Sequence, residues 1–140
     1  MKNIFSLLFV SGILILTSCI SQTNIEAEKS AIKSARAWLE LTDNGKYAES
    51  WEEAAQYFKI AINKDKWQGS IQSARKPLGK TISRELKSKK YTTSLPGAPD
   101  GEYVIIQFKT SFKNKKSAVE TITPMLDKDG KWKVSGYYIK

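Results

Sequence analysis

The sequence predicts an α+β domain: three N-terminal helices packed on a curved, mainly antiparallel sheet of about four strands, forming a cone. Three observations predict it. Apolar residues recur at three and four through the first half of the chain, they alternate through the second half, and Pro77 and Gly79 mark the change. Helices in a block followed by strands in a block are the signature of α+β organisation.

The first helix is expected over Glu28 to Leu41, where Ala31, Ile32, Ala35, Trp38 and Leu39 form one stripe. Thr42-Asp43-Asn44-Gly45 ends it, with Gly45 suited to the left-handed cap. A second helix is expected from Lys46 or Tyr47, with a stripe of Tyr47, Trp51, Ala54, Ala55 and Phe58. Asn63 is a good N-cap for a third, carrying Trp67, Ile71 and Ala74 on one face to about Arg75. Pro77 and Gly79 then stop helical structure.

Ile82, Arg84 and Leu86 alternate with polar neighbours, and Tyr91, Thr93 and Leu95 continue the extended pattern. Leu95-Pro96-Gly97-Ala98-Pro99-Asp100-Gly101 is a turn-rich connection. The clearest strand is Tyr103 to Phe112, with Val104, Ile106, Phe108, Thr110 and Phe112 on one face. Ser117 to Met125 and Trp132 to Ile139 are the remaining strands, joined by the turn Asp127-Lys128-Asp129-Gly130. The four Trp, six Tyr and five Phe supply ample material for one core.

The first eighteen residues read as an export signal. Lys2 follows the amino terminus, Ile4 to Leu16 is apolar, and Thr17, Ser18 and Cys19 come next. The apolar run is short for a membrane-spanning helix, which needs about 20 residues. Leu16-Thr17-Ser18-Cys19 resembles the bacterial lipobox, which implies cleavage before Cys19 and acylation of that cysteine. Residues 1–18 are therefore read as a lipoprotein signal peptide, 19–28 as a lipidated tether able to join the first helix, and 29–140 as a single domain. Cys19 is the only cysteine, so lipidation consumes the one thiol. In lipoproteins of Gram-negative bacteria an Asp after the cysteine favours inner-membrane retention. Ile20 and Ser21 stand there instead, so a Gram-negative source implies the outer membrane, with the domain facing the periplasm.

The formal net charge is +9, and it is unevenly placed. Residues 20–66 hold eight acids and seven bases, whereas 67–140 hold six acids and fifteen bases. Lys87, Lys89 and Lys90 form one cluster and Lys113, Lys115 and Lys116 another. A solvated surface is the plain reading; an anionic lipid or cell-wall polymer is the sharper one. Nucleic acid is not expected, because only three of the 23 basic residues are Arg and an exported, anchored domain rarely meets it.

There is no His. Ser-His-Asp and Cys-His nucleophilic arrangements are therefore excluded, and no catalytic residue, metal site or cofactor is expected. Asp127-Lys128-Asp129-Gly130 reads as a turn rather than a calcium loop. Two charges stand out in apolar alternation, Arg84 between Ile82 and Leu86, and Glu120 between Ala118 and Ile122. Pointing inward, they would pair and offer polar contacts to a ligand in a pocket lined by Trp38, Trp51 and Tyr103. The alternatives are a solvent-facing placement, a fixed pair with no ligand, and core packing for the tryptophans.

Certain segments carry a resemblance. They are Ala35-Arg36-Ala37-Trp38-Leu39, Asp43-Asn44-Gly45-Lys46-Tyr47, Arg75-Lys76-Pro77-Leu78-Gly79, the stretch from Tyr91 to Tyr103, and Gly130-Lys131-Trp132-Lys133-Val134-Ser135-Gly136-Tyr137. Together they resemble the bacterial family called domain of unknown function 4019, over nearly all of residues 30–140. That resemblance implies an exported domain with no assigned activity. The layout is more loosely similar to the nuclear-transport-factor-2-like cone, which commonly places a short strand between its second and third helices; Tyr57 to Asn63 is the only candidate here. The expected function is a membrane-anchored, non-catalytic binding or accessory domain of the cell envelope, its partner an envelope protein, a lipid or a wall polymer. The alternative is a ligand-binding protein or enzyme using the cone interior through Glu120 and Arg84.

Overall fold

The computed structural model describes the backbone of residues 14–140 and the side chains of residues 21–140. The signal peptide expected over 1–18 and the Cys19 side chain lie outside the residues described with side chains. Helix α1 spans Leu14–Asp43, α2 Tyr47–Glu52, α3 Gln56–Ala61 and α4 Lys64–Arg75; a short 3-10 turn covers Lys76–Leu78. Strands β1 Thr81–Thr92, β2 Tyr103–Phe112, β3 Lys115–Leu126 and β4 Trp132–Ile139 follow. They form one open antiparallel sheet in the order β1-β2-β3-β4. The chain is α+β, as its two halves predict.

Helix α1 starts far earlier than Glu28, and the segment read as a tether is helical. No Gly or Pro interrupts residues 14–43, so nothing in the chain stops the helix before Thr42. No helix among the described residues is long and apolar enough to cross a membrane. The stripe of Ala31, Ala35, Trp38 and Leu39 is buried against Val104, Ile106, Phe108, Ile122 and Val134 from the inner face of the sheet. Trp38 packs on Trp67 and Tyr137 with ring centres 5.7 and 5.3 Å apart, and Phe58 meets Trp67 edge-on at 4.9 Å. The indole N–H of Trp38 donates to the Ser50 carbonyl at 2.7 Å, and that of Trp67 donates to the Ser50 hydroxyl at 2.9 Å. One buried serine thus satisfies two indoles.

The second helix breaks in two. Ala55 is extended (φ −61°, ψ 152°), and its N–H donates to the Val134 carbonyl of β4 at 2.8 Å. The stripe through Ala54 and Ala55 continues at helical spacing, but the two small side chains let the backbone approach the edge of β4, and that bond replaces a helical one. Segment 57–63 is helical through Ala61 rather than a strand, so it does not support the looser likeness to the cone fold.

Strand β1 is one strand through the lysine cluster, with register irregularities between Thr81 and Ser83 and between Leu86 and Ser88. The first leaves Ile82 60% exposed, off the face that simple alternation would have it share with Arg84. The second returns Lys89 and Tyr91 to the inner face opposite Ile106 and Val104. Lysines along this outer strand blunt an otherwise open sheet edge.

Candidate functional site

Glu120 lies mid-strand in β3, opposite Phe108 and Ile139, and is 0% exposed. A carboxylate there needs partners. The Arg84 guanidinium supplies two bonds, Nε to Oε1 at 2.7 Å and NH2 to Oε2 at 3.2 Å. The Thr110 hydroxyl donates to Oε1 at 2.5 Å, and the Tyr137 hydroxyl donates to Oε2. Each of the other strands contributes: β1 gives Arg84, β2 gives Thr110 and β4 gives Tyr137.

Arg84 reaches further. Its NH1 donates to Asp43 Oδ2 at 2.8 Å and its NH2 to Asp43 Oδ1 at 3.0 Å. Asp43, the last residue of α1, also accepts from Arg75 NH2 at 2.7 Å and from the Thr81 hydroxyl at 2.9 Å. Arg75, the last residue of α4, donates to the Thr42 and Thr81 hydroxyls and sits 5.0 Å over the Phe112 ring. Two carboxylates and two guanidiniums therefore alternate in the order Glu120, Arg84, Asp43, Arg75. The chain of charges is neutral in sum and joins α1, α4 and the strands. One buried donor, Arg75 Nε, has no partner among the described residues.

The electrostatics follow from this geometry. Burial pushes Asp43 up, and the hydrogen bonds from Arg84 and Arg75 overcome it, holding the carboxyl below its ordinary value. Burial pulls Arg84 down, and its bonds to Asp43 and Glu120 outweigh that, so it stays charged. Burial and the adjacent Glu120 both push the Tyr137 phenol well up, leaving it a proton donor. Both Glu120 oxygens are engaged, so no free lone-pair direction is presented to a substrate proton.

Of the five residues read as a pocket, the structure joins Arg84 and Glu120 and scatters the rest. Trp38 is core and meets the network at the Tyr137 ring. The Trp51 indole donates to the Ile62 carbonyl at 2.8 Å, with Lys59 and Lys64 over its ring. Tyr103 is buried at the far end of β2, its hydroxyl donating to the Pro99 carbonyl at 2.5 Å. The cavities beside α1 and α4 do not join these three to the ion pair, and the hydrogen bonds of the three point to separate places in the fold. Asp43, Arg75 and Tyr137 join the site without any sequence pattern that marks them as members.

Shallow concavities lie elsewhere among the described residues. A groove of about 310 Å³ between α1 and the β3–β4 hairpin is lined by Ser34, Trp38, Glu53, Trp132 and Lys133. Another of about 280 Å³ lies between α4 and β4, beside Trp67, Ile71 and Tyr138. No three His, Cys, Asp or Glu side chains gather as a metal-ligand set among the described residues. The segment Asp127–Gly130 closes the β3–β4 hairpin, with Gly130 N–H donating to the Asp127 carbonyl at 2.9 Å.

The two lysine clusters separate. Lys89 pairs with Glu28 of α1 at 3.1 Å, and Lys87 and Lys90 are exposed on the same strand. Lys113, Lys115 and Lys116 are exposed at the β2–β3 turn, at the opposite end of the sheet.

A family model described as protein of unknown function (DUF4019) matches residues 34–137. No curated protein matches the chain.

Proposed function

The chain belongs to the DUF4019 family, and we propose that it is a membrane-anchored lipoprotein whose domain binds a partner in the cell envelope rather than catalysing a reaction. The observation that carries the non-catalytic reading is Glu120: fully buried, with both oxygens occupied by Arg84, Thr110 and Tyr137. The most unusual charge in the sequence acts as a clasp between secondary-structure elements. The lipid anchor rests on the lipobox at Leu16-Thr17-Ser18-Cys19. More than one acyl chain makes membrane retention stable. A Gram-negative source places it on the outer membrane, facing the periplasm.

Expression in a bacterium fed an alkyne-tagged fatty acid tests the anchor. The wild-type chain takes up the tag and partitions with detergent micelles, and Cys19→Ser does neither. An untagged wild-type chain of full precursor mass rules the anchor out. Crosslinking of the tagged protein in its native envelope then identifies what it captures.

A second reading has one observation in its favour. The groove of about 310 Å³ beside Trp38 and Trp132 reaches the lower end of the range for small-molecule sites. This reading replaces the expected use of Arg84 and Glu120, which are occupied by each other. Trp132→Ala that abolishes a small ligand's binding with the fold intact supports it; a groove that accepts no ligand from a metabolite panel removes it.

A further inference from the structure

Residues far apart in sequence build a basic pole at one end of the domain. The β2–β3 turn docks on the segment after α4: Lys113 N–H donates to the Lys80 carbonyl at 2.8 Å and Asn114 N–H to the Leu78 carbonyl at 2.9 Å. The Asn114 side-chain amide donates to the Pro77 carbonyl at 3.1 Å. These bonds bring exposed Lys76 and Lys80 beside exposed Lys113, Lys115 and Lys116. None of the five is in an ion pair among the described residues. Residues 76–84 and 103–119 contain no Asp or Glu, so no acid from either segment offsets the pole.

The pole lies opposite the anchor. Helix α1 runs antiparallel to β1, with Glu28 meeting Lys89 near the end of the strand and Asp43 meeting Arg84 near its start. At 1.5 Å per residue, Cys19 is about 36 Å along the helix axis from Asp43. Thr81 pairs with Phe112, which carries the lysine turn past the Asp43 end.

We propose that Lys76, Lys80, Lys113, Lys115 and Lys116 form a docking surface for a polyanionic cell-wall polymer held beyond the anchoring membrane. This rests on the lipid-anchor reading above. Three lysines at the turn and two on the segment it docks against, spread over an exposed surface, suit repeated phosphate or carboxylate groups along a polymer rather than one small anion. The anchoring membrane itself lies at the other end of the molecule, and a surface facing away from it meets what lies across the gap.

The test uses the full acylated chain in phosphatidylcholine vesicles, sedimented with purified cell-wall sacculi. Wild type carries vesicles into the pellet, and this is lost as salt rises. Lys113→Gln/Lys115→Gln weakens binding about tenfold, and so does Lys76→Gln/Lys80→Gln. The charge-matched Lys128→Gln/Lys131→Gln, at the β3–β4 turn, changes it less than about twofold. Equal losses in all three variants, or wild-type binding to phosphatidylglycerol vesicles but not to sacculi, overturn the proposal. An acylated chain that ignores sacculi defeats this proposal alone; a wild-type chain whose mass shows no acylation defeats the anchor reading and this one together.

Discussion

Arg84 and Asp43 form a two-pronged ion pair, NH1 to Oδ2 at 2.8 Å and NH2 to Oδ1 at 3.0 Å, that fastens the last residue of α1 to the outermost strand of the sheet. The same guanidinium holds Glu120 two strands away. One side chain on β1, 11% exposed, therefore ties α1 to β3 through two carboxylates.

Removing one partner strands the others. Glu120→Ala leaves Arg84, Thr110 and Tyr137 without their shared acceptor, and its expected cost is about 3–5 kcal/mol. Arg84→Ala exposes two carboxylates to each other and costs a similar amount. The double variant costs less than the sum, because each single change already breaks the pair. Urea unfolding of the four proteins measures the coupling, and additive losses refute the clasp.

Acid loosens the same clasp. Asp43 is held below its ordinary value by Arg84 and Arg75 against the opposing effect of burial. Its unfolded form, with a pKa of about 3.9, therefore binds the proton more tightly than its folded form. The stability it contributes is complete above that value and drains away as pH falls through the depressed folded value. Asp43→Asn lowers stability at pH 7 and flattens the fall in stability below about pH 4. Equilibrium unfolding at stepped pH resolves this, and parallel acid limbs in the two proteins contradict it.

Arg84 and Glu120 are legible in the sequence because a charge in an alternating apolar strand is anomalous. Asp43 is not, because an Asp in Thr-Asp-Asn-Gly is ordinary helix-ending chemistry. Arg75 is hidden in the same way by the Pro77 stop. The break at Ala54–Ala55 leaves no trace, since both residues keep the helical stripe while one N–H turns to β4. The basic pole is half legible: Lys113 to Lys116 are adjacent in sequence, whereas Lys76 and Lys80 join them only through the turn docking on Leu78 and Lys80. Local pattern identifies elements and odd residues; pairings across about 30 residues or more depend on the assembled sheet.

Alkaline pH acts through Tyr137. Its phenol is raised by burial and by Glu120. Above about pH 10 an unfolded tyrosine gives up its proton while this one retains it. Folding is then opposed, and stability falls as pH climbs past that point. Tyr137→Phe costs about 1.5–3 kcal/mol at pH 7 through the lost bond to the carboxylate. It also removes part of the alkaline decline, seen by ultraviolet titration alongside unfolding; an unchanged alkaline limb counts against it.

Ser50 is small and polar at the meeting of two tryptophans. Ser50→Ala keeps the carbonyl that Trp38 uses and removes the hydroxyl that Trp67 uses. One buried indole N–H is left unpaired, at a cost of about 1–3 kcal/mol. The expected signature is a changed Trp emission with the secondary structure intact. A stability equal to wild type implies that water takes the hydroxyl's place.

Gly79 carries the basic pole. Its φ of +72° with ψ −161° is a conformation that side chains disfavour. A Cβ there meets Asn114 Nδ2 at 3.0 Å and Lys113 Cβ at 3.2 Å. Gly79→Ala therefore combines backbone strain of about 1–3 kcal/mol with displacement of the β2–β3 turn. The two costs separate by position. Gly45 also has positive φ, but a methyl group at its Cα meets nothing within 4 Å, so Gly45→Ala reports strain alone. Backbone amide shifts of Lys113 and Asn114 move in Gly79→Ala and stay in place in Gly45→Ala. If Gly79→Ala leaves those amides and the stability unchanged, the turn is not held by this contact, and the lysines around it are not a preset surface.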